Sequence, residues 1–198
     1  MPEQDSAARR AFAASGAFLR GHFVYTSGRH GADYLEKFRI LEDPRATSEL
    51  AGMIAERFRS MSPDMVAGPT TGGILLAFEV ARQLGVKAVY VERDAGGRVL
   101  RRGFEIGPGT RVLLVDDVVT TGGSLVETRN AVRDAGGRVI GIGVLADRTV
   151  GRAVSDLPFF ACLTLDFPSY APEECPLCRG GVPLSALRGS SKLAMSPS

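Results

Sequence analysis

Cysteine is scarce in this chain: Cys162, Cys175 and Cys178 are the only three in 198 residues. Three cysteines cannot build a disulfide framework for a chain of this size, so a reducing compartment fits best. Long apolar runs are missing too. No stretch reaches the ~20 residues of a membrane span, and the opening "MPEQDSAARR" lacks the apolar core of a secretory signal, so a cytoplasmic protein without a membrane partner is expected. Charge of one sign is lacking as well. Lysine and arginine number 24 against 22 acids, a net charge of +2, which is too slight a bias to argue for nucleic acid, and no helix-turn-helix segment is evident. The Walker pattern of two glycines followed by lysine and a hydroxyl residue is absent. So is the triple-glycine fingerprint after a first strand, which leaves no sign of the common nucleotide- and dinucleotide-binding loops. No repeat at ~20–50 residues points to a solenoid.

What is present is a 44% hydrophobic composition, enough for one sizeable core. Asp5 or Ser6 can cap a first helix running toward Phe18, with Phe12 as its apolar anchor and an edge of the main domain as its seat. "GHFVYTSGRHGADYLEKFRI" reads as two short strands about a turn at Ser27 to His30, a candidate hood over a site. Asp43 and Pro44 start a helix in which Leu50, Met53, Ile54, Phe58 and Met61 share one face. A strand from Met65 then runs into the loop "GPTTGG", a largely apolar helix stopped by Gly85, and the strand "VKAVYVER". Residues 93–103, "RDAGGRVLRRG", read as a mobile basic loop with glycine hinges. "RVLLVDD" and "RVIGIGVLADR" are apolar enough to be strands buried on both faces, with the helix "GSLVETRNAVRDAGG" between them, and "FFACLTLDF" is a last strand. Alternating strands and helices imply an α/β domain with a mainly parallel sheet and right-handed crossovers. It is expected to occupy 1–189 as a single domain, with hood elements within 18–40 and a disordered tail at 190–198.

One stretch carries chemistry. In "VLLVDDVVTTGGS", residues 112–124, Asp116 and Asp117 fall at the carboxyl end of a strand, where open parallel sheets bind ligands. Thr120, Thr121, Gly122, Gly123 and Ser124 follow at a helix N-terminus, whose unpaired N–H groups and dipole favour a phosphate. Two acids beside a phosphate cradle call for a ligand that carries hydroxyl donors as well as an anion. A sugar 5-phosphate fits, its 2- and 3-hydroxyls donating to the acids, with Mg2+ bridging sugar and further phosphates.

This stretch resembles the 5-phosphoribosyl diphosphate signature of the type I phosphoribosyltransferases. Taken with the hood segment, "GPTTGG", "VLRRGFEI" and "CPLC", the resemblance narrows to a bacterial branch of the orotate phosphoribosyltransferases and spans roughly residues 18–181. It implies the fold of that family and transfer of the 5-phosphoribosyl group to orotate, in the synthesis of pyrimidine nucleotides. It also implies Mg2+ as cofactor, 5-phosphoribosyl diphosphate and orotate as small-molecule partners, and a homodimer. By the same resemblance, Asp116 and Asp117 are catalytic, and Val118, Val119 and residues 120–124 complete the 5-phosphoribosyl site. Thr70, Thr71, Gly72 and Gly73 wrap the diphosphate, Arg93 touches it, and Arg148 faces orotate. The chain departs from the family where a hood lysine is common, at Thr26, where a lysine often stands, at Gly72, and after Arg93, where the loop lysines and histidine are missing. Arg98, Arg101 and Arg102 are the cations near enough in sequence to take over that catalytic role. The alternatives are a phosphoribosyltransferase for another nucleobase, or a ligand-sensing regulator of the same fold. Cys175 and Cys178 supply two of the four ligands that zinc needs, and the two histidines, His22 and His30, lie far off in sequence. The cysteines therefore read as a structural turn pair, with a metal shared between subunits as the alternative, and the histidines as exposed turn residues.

Overall fold

The computed structural model describes residues 2–149, 151–152 and 155–185; the tail expected at 190–198 lies outside them. The first helix, α1 (Pro2–Ala14), starts ahead of the expected caps, since proline in a first helical turn gives up an N–H that would have no partner anyway. Ala8 and Phe12 on its inner face are buried. Strands β1 (Phe18–Val24) and β2 (His30–Leu35) pair antiparallel as a separate two-stranded sheet, the hood. A short α2 (Phe38–Leu41) leads to α3 (Pro44–Arg59), capped by Asp43, whose carboxylate accepts from the N–H groups of Arg45 and Ala46 at 2.9 and 3.3 Å. Leu50, Ile54 and Phe58 of α3 are fully buried, as their spacing requires.

Then follow β3 (Met65–Pro69), α4 (Gly72–Leu84) closed by Gly85, β4 (Lys87–Asp94), β5 (Gly97–Leu100), β6 (Arg111–Val119), α5 (Gly123–Asp134), β7 (Arg138–Asp147) and β8 (Phe159–Thr164). They form a six-stranded sheet in the order β5-β4-β3-β6-β7-β8, parallel except for β5. The all-apolar run in β6 is explained by its central position. Leu113 and Val115 enter the layer beneath α1, α3 and α4, and Val112 and Leu114 enter the layer beneath α5. α1 packs against the edge strand β8. Among the described residues, no helix is long and apolar enough to cross a membrane.

Residues 93–103 correct the expectation of a mobile basic loop: they turn back as a hairpin, with Arg93 opposite Arg98 and Asp94 opposite Gly97. The "DAGG" segment is its turn. Asp94 accepts from the N–H of Gly96 at 2.8 Å, and Gly97 takes φ 128°. Leu100 and Phe104 anchor the returning strand in the layer beneath α5. After β8 the chain turns back to the hood, where Tyr170 and His30 exchange both backbone hydrogen bonds, at 2.8 and 2.9 Å. A 3-10 turn (Pro172–Glu174) and a single helical turn, α6 (Pro176–Arg179), follow.

Candidate active site

Three loops meet at the carboxyl ends of the central strands. β6 delivers Asp116 and Asp117, both buried although ionisable, and continues two residues further than expected, to Val119. Asp116 accepts from the N–H of Asp117 at 2.8 Å, and Asp117 accepts from the N–H of Val118 at 2.7 Å. Burial first, and the neighbouring Asp117 carboxylate second, push the Asp116 carboxyl well above the usual carboxylate range. The N–H of Asp117, Lys37 and the Ser124 hydroxyl pull the other way.

Lys37 went unnoticed in the sequence. Its ammonium lies 2.7 Å from Oδ2 of Asp117, whose side chain is only 4% exposed. The lysine sits two residues beyond β2, within the hood motif already singled out, but only the fold lays that motif over the end of β6. Gly72 explains itself here as well: a Cβ at that position would stand 1.9 Å from the same Asp117 oxygen, so a side chain there would displace the Lys37 pair. A lysine at that position would require the Asp117 carboxylate to move.

Beyond the acids, Thr120 and Thr121 are exposed, Gly122 takes φ 82° as the residue preceding α5, and the first turn of α5 presents the N–H groups that no helical carbonyl can satisfy. Val118 lines the neighbouring cavity, whereas the side chain of Val119 is buried in the core and its carbonyl accepts from Arg148 N–H at 2.9 Å. Thr70 to Gly73 form the second loop, running from β3 into α4. The hairpin is the third. Its arginines separate into two kinds. Arg98, with a side chain 8% exposed, reaches toward the carbonyl and hydroxyl oxygens of Thr70 at 3.4 and 3.5 Å and lies 3.4 Å from Glu127. Burial and the nearby Arg93 lower its pKa from the ordinary arginine value. Arg93 pairs with the same Glu127 at 3.1 Å. Arg101 and Arg102 instead pair with Asp94 and Glu92 of β4, at 2.9 and 2.6 Å. The structure thus brings Arg98 to the Thr70 loop and Arg93 to Glu127 of α5, while Arg101 and Arg102 pair within the hairpin. Glu127, on the first turns of α5, is a further residue that the sequence reading passed over.

Between the hood and these loops lies a cavity of about 510 Å3. Tyr25 and Thr26 of the hood, Lys37 and Phe38, Thr120 and Arg148 are on its wall. Arg148 is held between two aromatic rings, its guanidinium carbon 5.1 Å from the centroid of Tyr25 and 4.9 Å from that of Phe167. Its Nε is buried without a hydrogen-bond partner among the described residues.

The fold and the acid and threonine-glycine junction define a class. A family model described as the phosphoribosyl transferase domain matches residues 39–173. An orotate phosphoribosyltransferase of Caldanaerobacter subterraneus subsp. tengcongensis is 47% identical over 88% of this chain and 91% of its own length. One from Pelotomaculum thermopropionicum is 46% identical over 92% and 95%. The crystal structure of orotate phosphoribosyltransferase from Aeropyrum pernix superposes with a TM-score of 0.69 at 28% identity, over 79% of this chain and 92% of that one. The chain belongs to the orotate phosphoribosyltransferases of the type I phosphoribosyltransferase family.

Proposed function

We propose that this chain transfers the 5-phosphoribosyl group of 5-phosphoribosyl 1-diphosphate to orotate, giving orotidine 5'-phosphate and diphosphate, within a single domain of residues 1–189 and in the cytoplasm. The observation that carries the choice of base is Arg148. A planar guanidinium on the cavity wall, oriented by two rings, suits a flat acceptor that bears a carboxylate and carbonyl oxygens.

In this reading the threonine-glycine turn and the start of α5 hold the 5-phosphate. Asp116 and Asp117 accept hydrogen bonds from the ribose hydroxyls, and their charge stabilises the positive ribose that forms as the anomeric C–O bond breaks. Lys37 holds Asp117 in place and keeps the pair of acids from repelling each other apart. A ring nitrogen of orotate attacks the anomeric carbon, so no enzyme nucleophile is required. The leaving diphosphate is met by Arg93, Arg98 and the N–H groups of the Thr70 to Gly73 loop, and Arg101 and Arg102 join if the hairpin releases them from Asp94 and Glu92. Both Asp117 oxygens and one Asp116 oxygen already have partners, which fits an ion that takes its ligands chiefly from substrate phosphates and water, as Mg2+ does, with Asp116 and Asp117 as the carboxylates beside it. Bound there, Mg2+ supplies charge neutralisation of the departing diphosphate. Exposed Leu75 and Phe78 on α4 support a homodimer, since such side chains on one helix favour burial against a second copy.

The test is loss of orotate absorbance on mixing the protein with 5-phosphoribosyl diphosphate and Mg2+, with adenine, xanthine and uracil as parallel acceptors. Magnesium-dependent loss of orotate alone is expected. Reaction with another base would overturn the assignment of Arg148.

A further inference from the structure

The two histidines and two of the three cysteines, scattered through the sequence, meet under the hood. His22 comes from β1, His30 from β2, Cys175 immediately precedes α6, and Cys178 lies within it. The histidines are buried, which corrects the expectation of exposed turn histidines, and Cys175 is buried beside them. One ligand atom from each of the four lies within 4.8 Å of every other.

Four of the six separations are close to the edges of a tetrahedron. Zinc bonds of ~2.3 Å to sulfur and ~2.05 Å to nitrogen at tetrahedral angles place ligands about 3.5 Å apart for a sulfur and a nitrogen and about 3.3 Å apart for two nitrogens. Here Nε2 of His22 stands 3.6 Å from Sγ of Cys175, 3.5 Å from Sγ of Cys178 and 3.0 Å from Nδ1 of His30, and Cys178 Sγ is 3.3 Å from that same His30 nitrogen. The tautomer agrees. Nδ1 of His22 lies 2.7 Å from the carbonyl oxygen of Val182, so it carries the proton and donates, and the lone pair of Nε2 faces the cluster. Three groups converging on one lone pair exceed what a hydrogen bond can use, but they are what a shared cation needs.

We propose that His22, His30, Cys175 and Cys178 bind one zinc ion as a closed structural site within a single chain. Two thiolates and two imidazoles suit zinc and do not suit Mg2+ or Ca2+. On binding, each thiol loses its proton to solvent and both imidazoles ligate as neutral bases. Four protein ligands leave no open position for a substrate. The ion instead staples residues 170–185 to the hood, alongside the His30 and Tyr170 backbone pair and the hydrogen bonds of His22 with Ser185. A two-stranded hairpin is marginal by itself, and this one carries the Tyr25 and Thr26 wall of the cavity. The zinc site stands whichever base the cavity accepts.

The full chain, freed of any polyhistidine tag and dialysed against metal-free buffer, should contain about one zinc per chain by elemental analysis, as a closed four-ligand site retains its ion. X-ray absorption on that sample should show two sulfur and two nitrogen neighbours. Changing Cys175→Ser and Cys178→Ser together should cut the zinc content at least tenfold. Should that variant fail to fold, the unmodified chain still decides: Cys175 and Cys178 should resist a thiol reagent until a strong chelator is added, and the chelator should lower the melting temperature until zinc is restored. A protein that holds no zinc as isolated or after reconstitution, that holds iron instead, or whose thiols react equally with and without chelator overturns the proposal.

Discussion

The carboxyl end of β6 buries both of its acids and the histidine-cysteine cluster buries all of its groups but Cys178, by opposite means. At β6, two acids adjacent in sequence are forced together, and Asp116 accepts a raised pKa because burial and Asp117 both disfavour its charge. The arrangement is electrostatically costly, and Lys37 offsets only part of it. Under the hood, four groups from two distant segments converge on one point, two of them imidazoles that ligate as neutral bases, and a cation would satisfy all four at once. The first region holds its groups against their own stability so that they are ready for a ligand. The second has the features of a tie that adds stability and does no chemistry. Charge on buried groups thus separates a site for turnover from a site for structure.

The sharpest way to break that contrast is Asp117→Asn. In the proposed mechanism it should lower kcat by about 10² or more while leaving zinc content and melting nearly unchanged, since one preorganised charge partner is lost. Unaltered turnover would remove Asp117 from the chemistry. Next in size, Arg98→Ala should lower turnover roughly tenfold, as loss of a charge-assisted contact does, and should account for most of the effect of changing Arg98, Arg101 and Arg102 together. If Arg101→Ala and Arg102→Ala cost more than Arg98→Ala, the hairpin arginines leave their acids during catalysis.

Lys37→Ala should shift the pH profile as well as lower the rate. Lys37 draws the Asp116 pKa downward, so its removal should carry the acid limb of kcat/KM to higher pH. A limb that stays in place would uncouple the lysine from Asp116. From the other region, stripping the cluster with a chelator should raise KM for the base severalfold with little change for 5-phosphoribosyl diphosphate, because the hood walls the base cavity while the sheet holds the sugar site. Equal changes in both would show that the hood staple supports the whole site.

The smallest effect tests stability. A carboxyl whose folded pKa lies above its unfolded value favours the fold fully below the unfolded pKa and loses that contribution as pH rises through the folded one. Asp116→Asn should therefore melt higher than the unmodified chain at neutral and alkaline pH, by ~2–4 °C for each kcal/mol relieved, with the gain vanishing as pH falls below the ordinary carboxylate range. A variant that melts lower at pH 8 would mean that the hydrogen bonds of Asp116 outweigh its repulsion.

Much of the molecule was legible wherever neighbours in sequence are also partners in space. The cap at Asp43, the buried face of α3, the apolar β6 and the acid and glycine junction after it follow from spacing alone. Arginine and glycine in residues 93–103 suggest a solvated loop, while the pairing of Leu100 with β4 and the contact of Phe104 with Tyr90 appear only in the fold. The aromatic clamp on Arg148 draws one ring from the hood and one from the chain beyond β8, so no local pattern announces it.

By itself the sequence determined the α/β class, the position of the 5-phosphoribosyl signature at a strand end, and the hood residues that mark the family. These are properties of short segments, set by periodicity and by local backbone chemistry. Only the tertiary structure decided that Lys37 faces Asp117, that Arg98 and not Arg101 or Arg102 reaches Thr70, and that two histidines meet two cysteines. Each of these pairings joins groups from separate elements across a folded core, and their approach depends on how whole strands and helices pack.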